Sequence, residues 1–252
     1  MKKISKSMRV AMCAGALVAA SAVAQAGITD PGLVITASNA NGSGTYQVFL
    51  SNGSWTTTNS PNDTWSWQSP VGGYDIFDDN FNVVAHVDNM YCNMVADPQI
   101  TVNFSVNSTS LATHFTISSG ILSFGAINPA QGRATAGITI TDNDGDGSSL
   151  TGGFGGGKAY HTDYNSGSTF GNFVSGFGAP ADDSATNSES SAGYPGYIGI
   201  GGAVTDMSAA FDFTLSANDS ASGTSFYEII PGPAAVGLFG VAGLVGVGRR
   251  RR

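Results

Sequence analysis

Positive charge is scarce in this chain and badly distributed. The 252 residues hold ten Lys and Arg against 18 Asp and Glu. Four of the ten lie near the start (Lys2, Lys3, Lys6, Arg9) and four are the closing Arg249–Arg252, so only Arg133 and Lys158 fall between. All 18 carboxylates, Asp30 through Glu228, lie in that middle segment, which carries a formal charge of −16 from two cations and 18 anions. Such a surface repels phosphate backbones and excludes nucleic acid as a partner. Cysteine is nearly absent too, with Cys13 and Cys92 alone. Glutamate is limited to Glu189 and Glu228, and the Lys-, Glu- and Leu-rich periodicity of amphipathic helices is missing, which argues against a helical bundle.

The two ends explain where the cations went. Lys2 to Arg9 is a basic stretch, Val10 to Ala20 is apolar, and Ala24-Gln25-Ala26 precedes Gly27. That order is a secretory signal peptide over residues 1–26, with Ala24 and Ala26 as the small residues of the cleavage site. Once it leaves, Cys92 is the one remaining thiol; no internal disulfide can form, and a buried, inert role is expected. The other end has three parts: Pro231-Gly232-Pro233, an uncharged apolar run from Ala234 to Gly248, and the four arginines. Fifteen residues is short for a permanent span, since about 20 are usual. A single short transmembrane helix that holds its arginines on the cytoplasmic side is the expectation. The domain plan is therefore 1–26, 27–230 and 231–252.

What fills residues 27–230 is period-two alternation between turn clusters. Ile100, Val102, Phe104 and Val106 share one face of "QITVNFSV"; Phe211, Phe213 and Leu215 share one face of "FDFTL", with Asp212 and Thr214 pointing away. Thr113, Phe115 and Ile117 repeat the pattern, and "TYQVFLS", "FNVVAHV", "AGITIT" and "TSFYEII" read as further strands. Segments such as "NANGSG" and "NDGDGSS" separate them as turns. One buried and one wet face per strand predicts an all-β, antiparallel β-sandwich, jelly-roll-like. Two regions break the pattern. Residues 88–98 read as a short helix or a crossover, and Thr151–Pro195, rich in Gly, Ser and aromatics, as long loops.

Several constellations are candidates for chemistry. Asp142, Asp144 and Asp146 alternate before Gly147, like the first half of a calcium loop, in which alternate oxygens wrap a hard cation. The twelfth position is Gly153 instead of glutamate, so this is no complete EF-hand, and further ligands must come from distant loops. Calcium is the one cofactor suggested; the competing reading is a solvated Asx turn. Trp65 and Trp67 stand two apart, with Trp55 ten residues earlier. Exposed, the three would stack on sugar rings and make a calcium-dependent carbohydrate-binding module; buried, they are core. Gly152, Gly157 and Lys158 fit a phosphate loop but Ala159 replaces its hydroxyl, so no nucleotide is expected. His86-Val87-Asp88 and His161-Thr162-Asp163 each place imidazole and carboxylate on one strand face, while His114 stands alone; no hydrolase motif completes them. A secreted glycan-active enzyme with paired carboxylates is the least favoured alternative.

The closing Pro231-Gly232-Pro233, apolar span and Arg cluster resemble the PEP-CTERM sorting signals of bacterial surface proteins, with Gly232 where that family has glutamate. The resemblance covers about the last 22 residues. It implies processing at the inner membrane by an exosortase-like enzyme, and a non-enzymatic surface or extracellular-matrix protein of structural or adhesive role, associated with extracellular polysaccharide. The segment "FDFTLSANDSASGTSFYEIIPGP" likewise resembles the last strands of β-sandwich surface proteins bearing such tails.

Overall fold

The computed structural model describes residues 27–56 and 63–233; the expected signal peptide and the expected short transmembrane helix with its arginines lie outside them. Among the described residues nineteen strands follow one another, with one short 3-10 turn at Leu50–Asn52. The first ten are β1 (Gly27–Ile28), β2 (Leu33–Asn39), β3 (Gly42–Val48), β4 (Ser54–Thr56), β5 (Thr64–Gln68), β6 (Tyr74–Phe77), β7 (Val83–Val95), β8 (Gln99–Ser108), β9 (Thr113–Ser119) and β10 (Leu122–Ile127). The rest are β11 (Ala130–Thr141), β12 (Ser148–Gly152), β13 (Lys158–Tyr164), β14 (Ser168–Ser175), β15 (Phe177–Ala179), β16 (Ser184–Ser190), β17 (Ile198–Ile200), β18 (Val204–Leu215) and β19 (Ser220–Pro231).

These strands form two antiparallel sheets in a sandwich-like arrangement. The first runs β1-β10-β18-β9-β2-β3, and β18 also takes β12 and β13, which carry β15 and β14. The second runs β16-β11-β19-β8-β7-β5-β4, with β17 on β11 and β6 on β7. Core residues lie between the sheets: Phe104 on β8 meets Phe211 edge-on at 4.9 Å and stacks on Phe213 at 5.5 Å, both on β18. The alternation read from sequence is what buries them. In β8 every second residue from Ile100 to Ser108 is buried, and the same holds for Phe211, Phe213 and Leu215 while Asp212 and Thr214 face out. No helix among the described residues is long and apolar enough to cross a membrane.

Both irregular regions turn out to be strands. Residues 88–95 belong to β7, whose register against β8 slips between Val87 and Asn89. This bulge inserts Asp88 and inverts the parity: Ala85 and Val87 are buried before it, and Met90, Cys92 and Met94 after it. An extra residue in one strand erases a period-two signal. Nor is Thr151–Pro195 a run of long loops, because β13 and β14 form a hairpin and β16 pairs with β11 along its whole length. Here Thr162 of β13 is buried and β16 turns only Ala185, Asn187 and Glu189 inward, too small or polar to register as an apolar face. "TYQVFLS" is also shorter than read, with β3 ending at Val48 before the 3-10 turn.

Candidate functional site

The acidic turn is built by register. Strands β11 and β19 are paired from Ala130↔Pro231 to Thr141↔Ser220. The residues just beyond that last pair, Asp142 and Asp219, are therefore forced together although 77 positions apart in the chain. Asp142, Asp144 and Asp219 each offer a carboxylate oxygen, and these atoms lie within 4.8 Å of one another. Asp146, expected in the set, stands beside Asp144 but outside this group of three; Asp219, which completes it, was invisible to local spacing.

Each carboxylate also has protein donors. Asp142 Oδ1 accepts from the N–H of Gly145 at 3.1 Å and of Asp144 at 3.4 Å, and its Oδ2 from the N–H of Asp182 at 2.5 Å. Asn218 Nδ2 donates to Asp144 Oδ2 at 2.8 Å. Asp219 accepts from the Ser216 hydroxyl, and from the Asn143 N–H at 3.4 Å. The backbone bond from Asp182, with those of Gly145, Gly147 and Asp144, holds the Asp142 carboxyl below its ordinary value. The negative charge of Asp144 raises Asp146, and burial raises Asp219. A site in which one carboxylate is locked ionised while two neighbours resist ionisation is one that a hard cation would relieve.

The tryptophans do not form a platform. Trp65 is fully buried, Trp67 is 8% exposed, and Trp55, opposite Trp65 on the terminal strand, is 49% exposed. Strands β4 and β5 bring all three to the inner face, so of the two readings of Trp55, Trp65 and Trp67 the core one holds, with Trp55 at an open edge. Cys92 is fully buried, and its burial pushes the thiol up to about 12, which leaves it inert as expected.

All three histidines sit on outer faces with carboxylates. His161 Nε2 meets Asp163 Oδ1 at 2.7 Å as the sequence predicts, while Nδ1 meets Asn172 Oδ1 at 2.5 Å. His86 pairs more closely with Asp75 (2.6 Å) than with the expected Asp88 (3.5 Å). His114 is not alone, because Asp212 Oδ1 lies 2.6 Å from its Nε2. Both ring nitrogens of His161 are thus engaged by neighbours within the fold.

Both cations of the described residues are consumed locally. Arg133 Nε donates to Glu228 Oε2 at 2.7 Å, and its guanidinium lies 4.6 Å from the Tyr197 ring centre and 5.2 Å from that of Phe226. Lys158 Nζ contacts Glu189 Oε2 at 2.6 Å and Oε1 at 2.8 Å, and Ser175 Oγ at 2.8 Å. The lysine of the phosphate-loop near miss is thus committed to a carboxylate. Partial burial raises the Glu189 carboxyl, but the bonds from Lys158 and from the Ser175 N–H and hydroxyl outweigh it and bring it to about 2. A depressed carboxylate stabilises the fold above its unfolded value, 4.5, and that contribution is lost as pH falls from 4.5 towards 2. We expect Glu189→Gln to cost ~1 kcal/mol at pH 7, discounted for its solvent access. Urea titrations should show the gap to the parent closing between pH 4.5 and 2.

Pro231-Gly232-Pro233 lies at the end of the last described strand. Pro231 is the last residue of β19, and the Gly232 N–H donates to Pro129 O at 2.7 Å. A Cβ at Gly232 would come within 3.3 Å of Pro129 Cγ and O. Glycine therefore fits a close approach at which the glutamate of the resembling family would need its neighbours to give slightly.

No protein-family model and no curated protein matches the sequence. Among solved structures, the infectious bursal disease virus VP2 subviral particle is 11% identical at a TM-score of 0.12, over 80% of this chain and 65% of that one. The Gt strain of the same virus gives 10%, 0.12, 80% and 66%. The chain thus spans about two thirds of the length of these capsid proteins, and similarity at this level carries no argument about fold or function.

Proposed function

We propose that this chain is an exported, non-enzymatic surface or matrix protein: a jelly-roll-like sandwich delivered by the 1–26 signal peptide and handed on at the 231–252 tail. The observation that carries the reading is the coincidence of Pro231-Gly232-Pro233 with the end of β19. A processing enzyme acting just beyond that point releases the folded domain without cutting a strand. The exosortase-like partner, the transient stay in the inner membrane and the association with polysaccharide belong to the same proposal. So does a structural calcium ion on Asp142, Asp144 and Asp219, supported by the raised Asp146 and Asp219 carboxyls around an ionised Asp142.

Burial of Trp65 and Trp67 removes the platform on which a tryptophan-based carbohydrate-binding module would rest. The charge pattern supports the surface role: with both cations paired, the domain meets its surroundings as an acidic body, which favours solubility outside the cell. Replacing Arg249–Arg252 by serine tests the tail. Loss of the positive stop should move the protein out of the membrane fraction during export, read by fractionation and immunoblotting. An unchanged distribution would remove the sorting role of the arginines.

A further inference from the structure

Strand β16 ends the second sheet and pairs with β11 alone among the described residues. Its hydrogen-bonding parity is fixed at both ends. The Ser191 N–H donates to Ala134 O at 2.8 Å, and the Asp142 N–H to Asp183 O at 3.0 Å. In an antiparallel ladder, residues that bond one neighbour alternate with residues that turn away from it. Ala185, Asn187 and Glu189 therefore bond β11, while Ser184, Thr186, Ser188 and Ser190 turn their N–H and C=O groups to the open edge. The Ser184 N–H is taken by Asp183 Oδ1 at 2.8 Å.

Other edges of this fold are blunted, and β16 is not. Strands β1 and β4 hold two and three residues. Strand β3 contains Gly42 and Gly44, which weaken a strand. In β14 the register against β13 slips, leaving Phe170 as an extra residue, and Val174 sits at φ 64°. A bulge of this kind spoils an edge for pairing. Strand β16 reads SATNSES over seven residues, with no Pro, Gly or Lys and an unbroken register against β11. Its one charge, Glu189, turns inward and meets Lys158 Nζ at 2.6 Å. A strand laid alongside would therefore cover no unpaired charge. A straight, unpaired edge of this kind is a template for strand addition.

The strand matches itself. We propose that β16 pairs antiparallel with β16 of a second copy of this chain, about a two-fold axis at Asn187. In that register Thr186 faces the mate's Ser188, Ser184 faces Ser190, and Ala185 faces Glu189. Roughly six main-chain hydrogen bonds then form, with none counted for the Ser184 N–H. Small hydroxyls meet small hydroxyls on the outer face, where Thr186 Oγ1 already lies 2.7 Å from Thr139 Oγ1. The two Glu189 side chains stand four positions apart, about 14 Å along the strands. That exceeds the ~8 Å screening length at physiological salt. The contact is thus locally neutral on a domain of charge −16, so net repulsion acts only at a distance and salt should tighten the dimer.

Sedimentation velocity of the purified mature protein tests it, over a wide range of concentration and at low and physiological salt. A monomer–dimer equilibrium that tightens with salt is expected. Ser188→Pro removes an N–H from the open edge and none that bonds β11, and should weaken the dimer by about tenfold or more. Should that variant fail to fold, Thr186→Lys with Ser188→Lys does the same at exposed positions by crowding four ammonium groups at the axis. Ser222→Lys with Thr224→Lys adds equal charge in the middle of the sheet, on β19, and should leave the dimer unchanged. Asn187→Cys sets two thiols opposite each other with Cα atoms about 4.5 Å apart, within disulfide reach. Mild oxidation should then give a covalent dimer, to which the buried Cys92 contributes nothing. A monomer at every concentration, including one with a foreign segment on the edge, would overturn the pairing. So would association that weakens with salt, a dimer indifferent to both β16 variants, or Asn187→Cys that does not cross-link.

Discussion

Phe211→Ala should destabilise the fold by about 3–5 kcal/mol and lower the melting midpoint by roughly 10 °C. Phe211 has no exposed surface and sits on β18, the strand against which β9, β10, β12 and β13 all pair. Its ring meets Phe104 of the opposite sheet edge-on at 4.9 Å and Tyr160 of the adjacent strand at 4.6 Å. Phe213 is stacked between Phe104 and Phe115, 5.5 Å from each. Neither sheet can therefore close over the space without dismantling that stack, and the cavity term adds to the lost transfer energy. No disulfide is available to compensate, because Cys92 is the one thiol among the described residues. Urea unfolding at pH 7 is the check. A loss below about 1 kcal/mol would mean that the two sheets do not share this aromatic core.

Calcium should have the next largest effect. At a free calcium concentration about 100 times the dissociation constant, binding to the folded state alone adds ~2.7 kcal/mol. Chelation is then expected to lower the melting midpoint by several degrees. Asp219→Asn should abolish the calcium response, because it removes one of the three carboxylates within 4.8 Å. The sign with pH is fixed by the same groups. Asp219 and Asp146 are raised by burial and by Asp144 respectively, so both protonate more readily than free aspartate, and calcium held at the proposed site would be released as pH falls. A midpoint that ignores both calcium and chelator would leave the turn as a hydrogen-bonded Asx structure held by the Asp182, Gly145 and Asn218 donors.

Alternation along β8, β18 and β19 was legible because long strands buried on one face repeat one rule many times. It failed at Asp88, where a single inserted residue reverses which parity points inward. It failed again in β13–β16, where inward positions such as Thr162, Ala185 and Asn187 carry little apolar signal. The acidic turn shows the same limit at the level of a site. Asp142 and Asp144 could be read from spacing, but Asp219 enters through the β11–β19 register, a long-range fact. Spacing put Trp65 and Trp67 on one strand face, with Trp55 beside them on β4, yet periodicity does not say whether that face is wet or dry.

The central claim is that a folded acidic sandwich is exported and then separated from a tail that begins where β19 ends. Intact mass spectrometry of the protein recovered from the cell surface or medium tests it most directly. The account predicts a species that starts at Gly27 and has lost Arg249–Arg252, its end lying beyond Pro231. A species running unbroken from Gly27 to Arg252 would contradict it and leave a simple membrane-anchored protein.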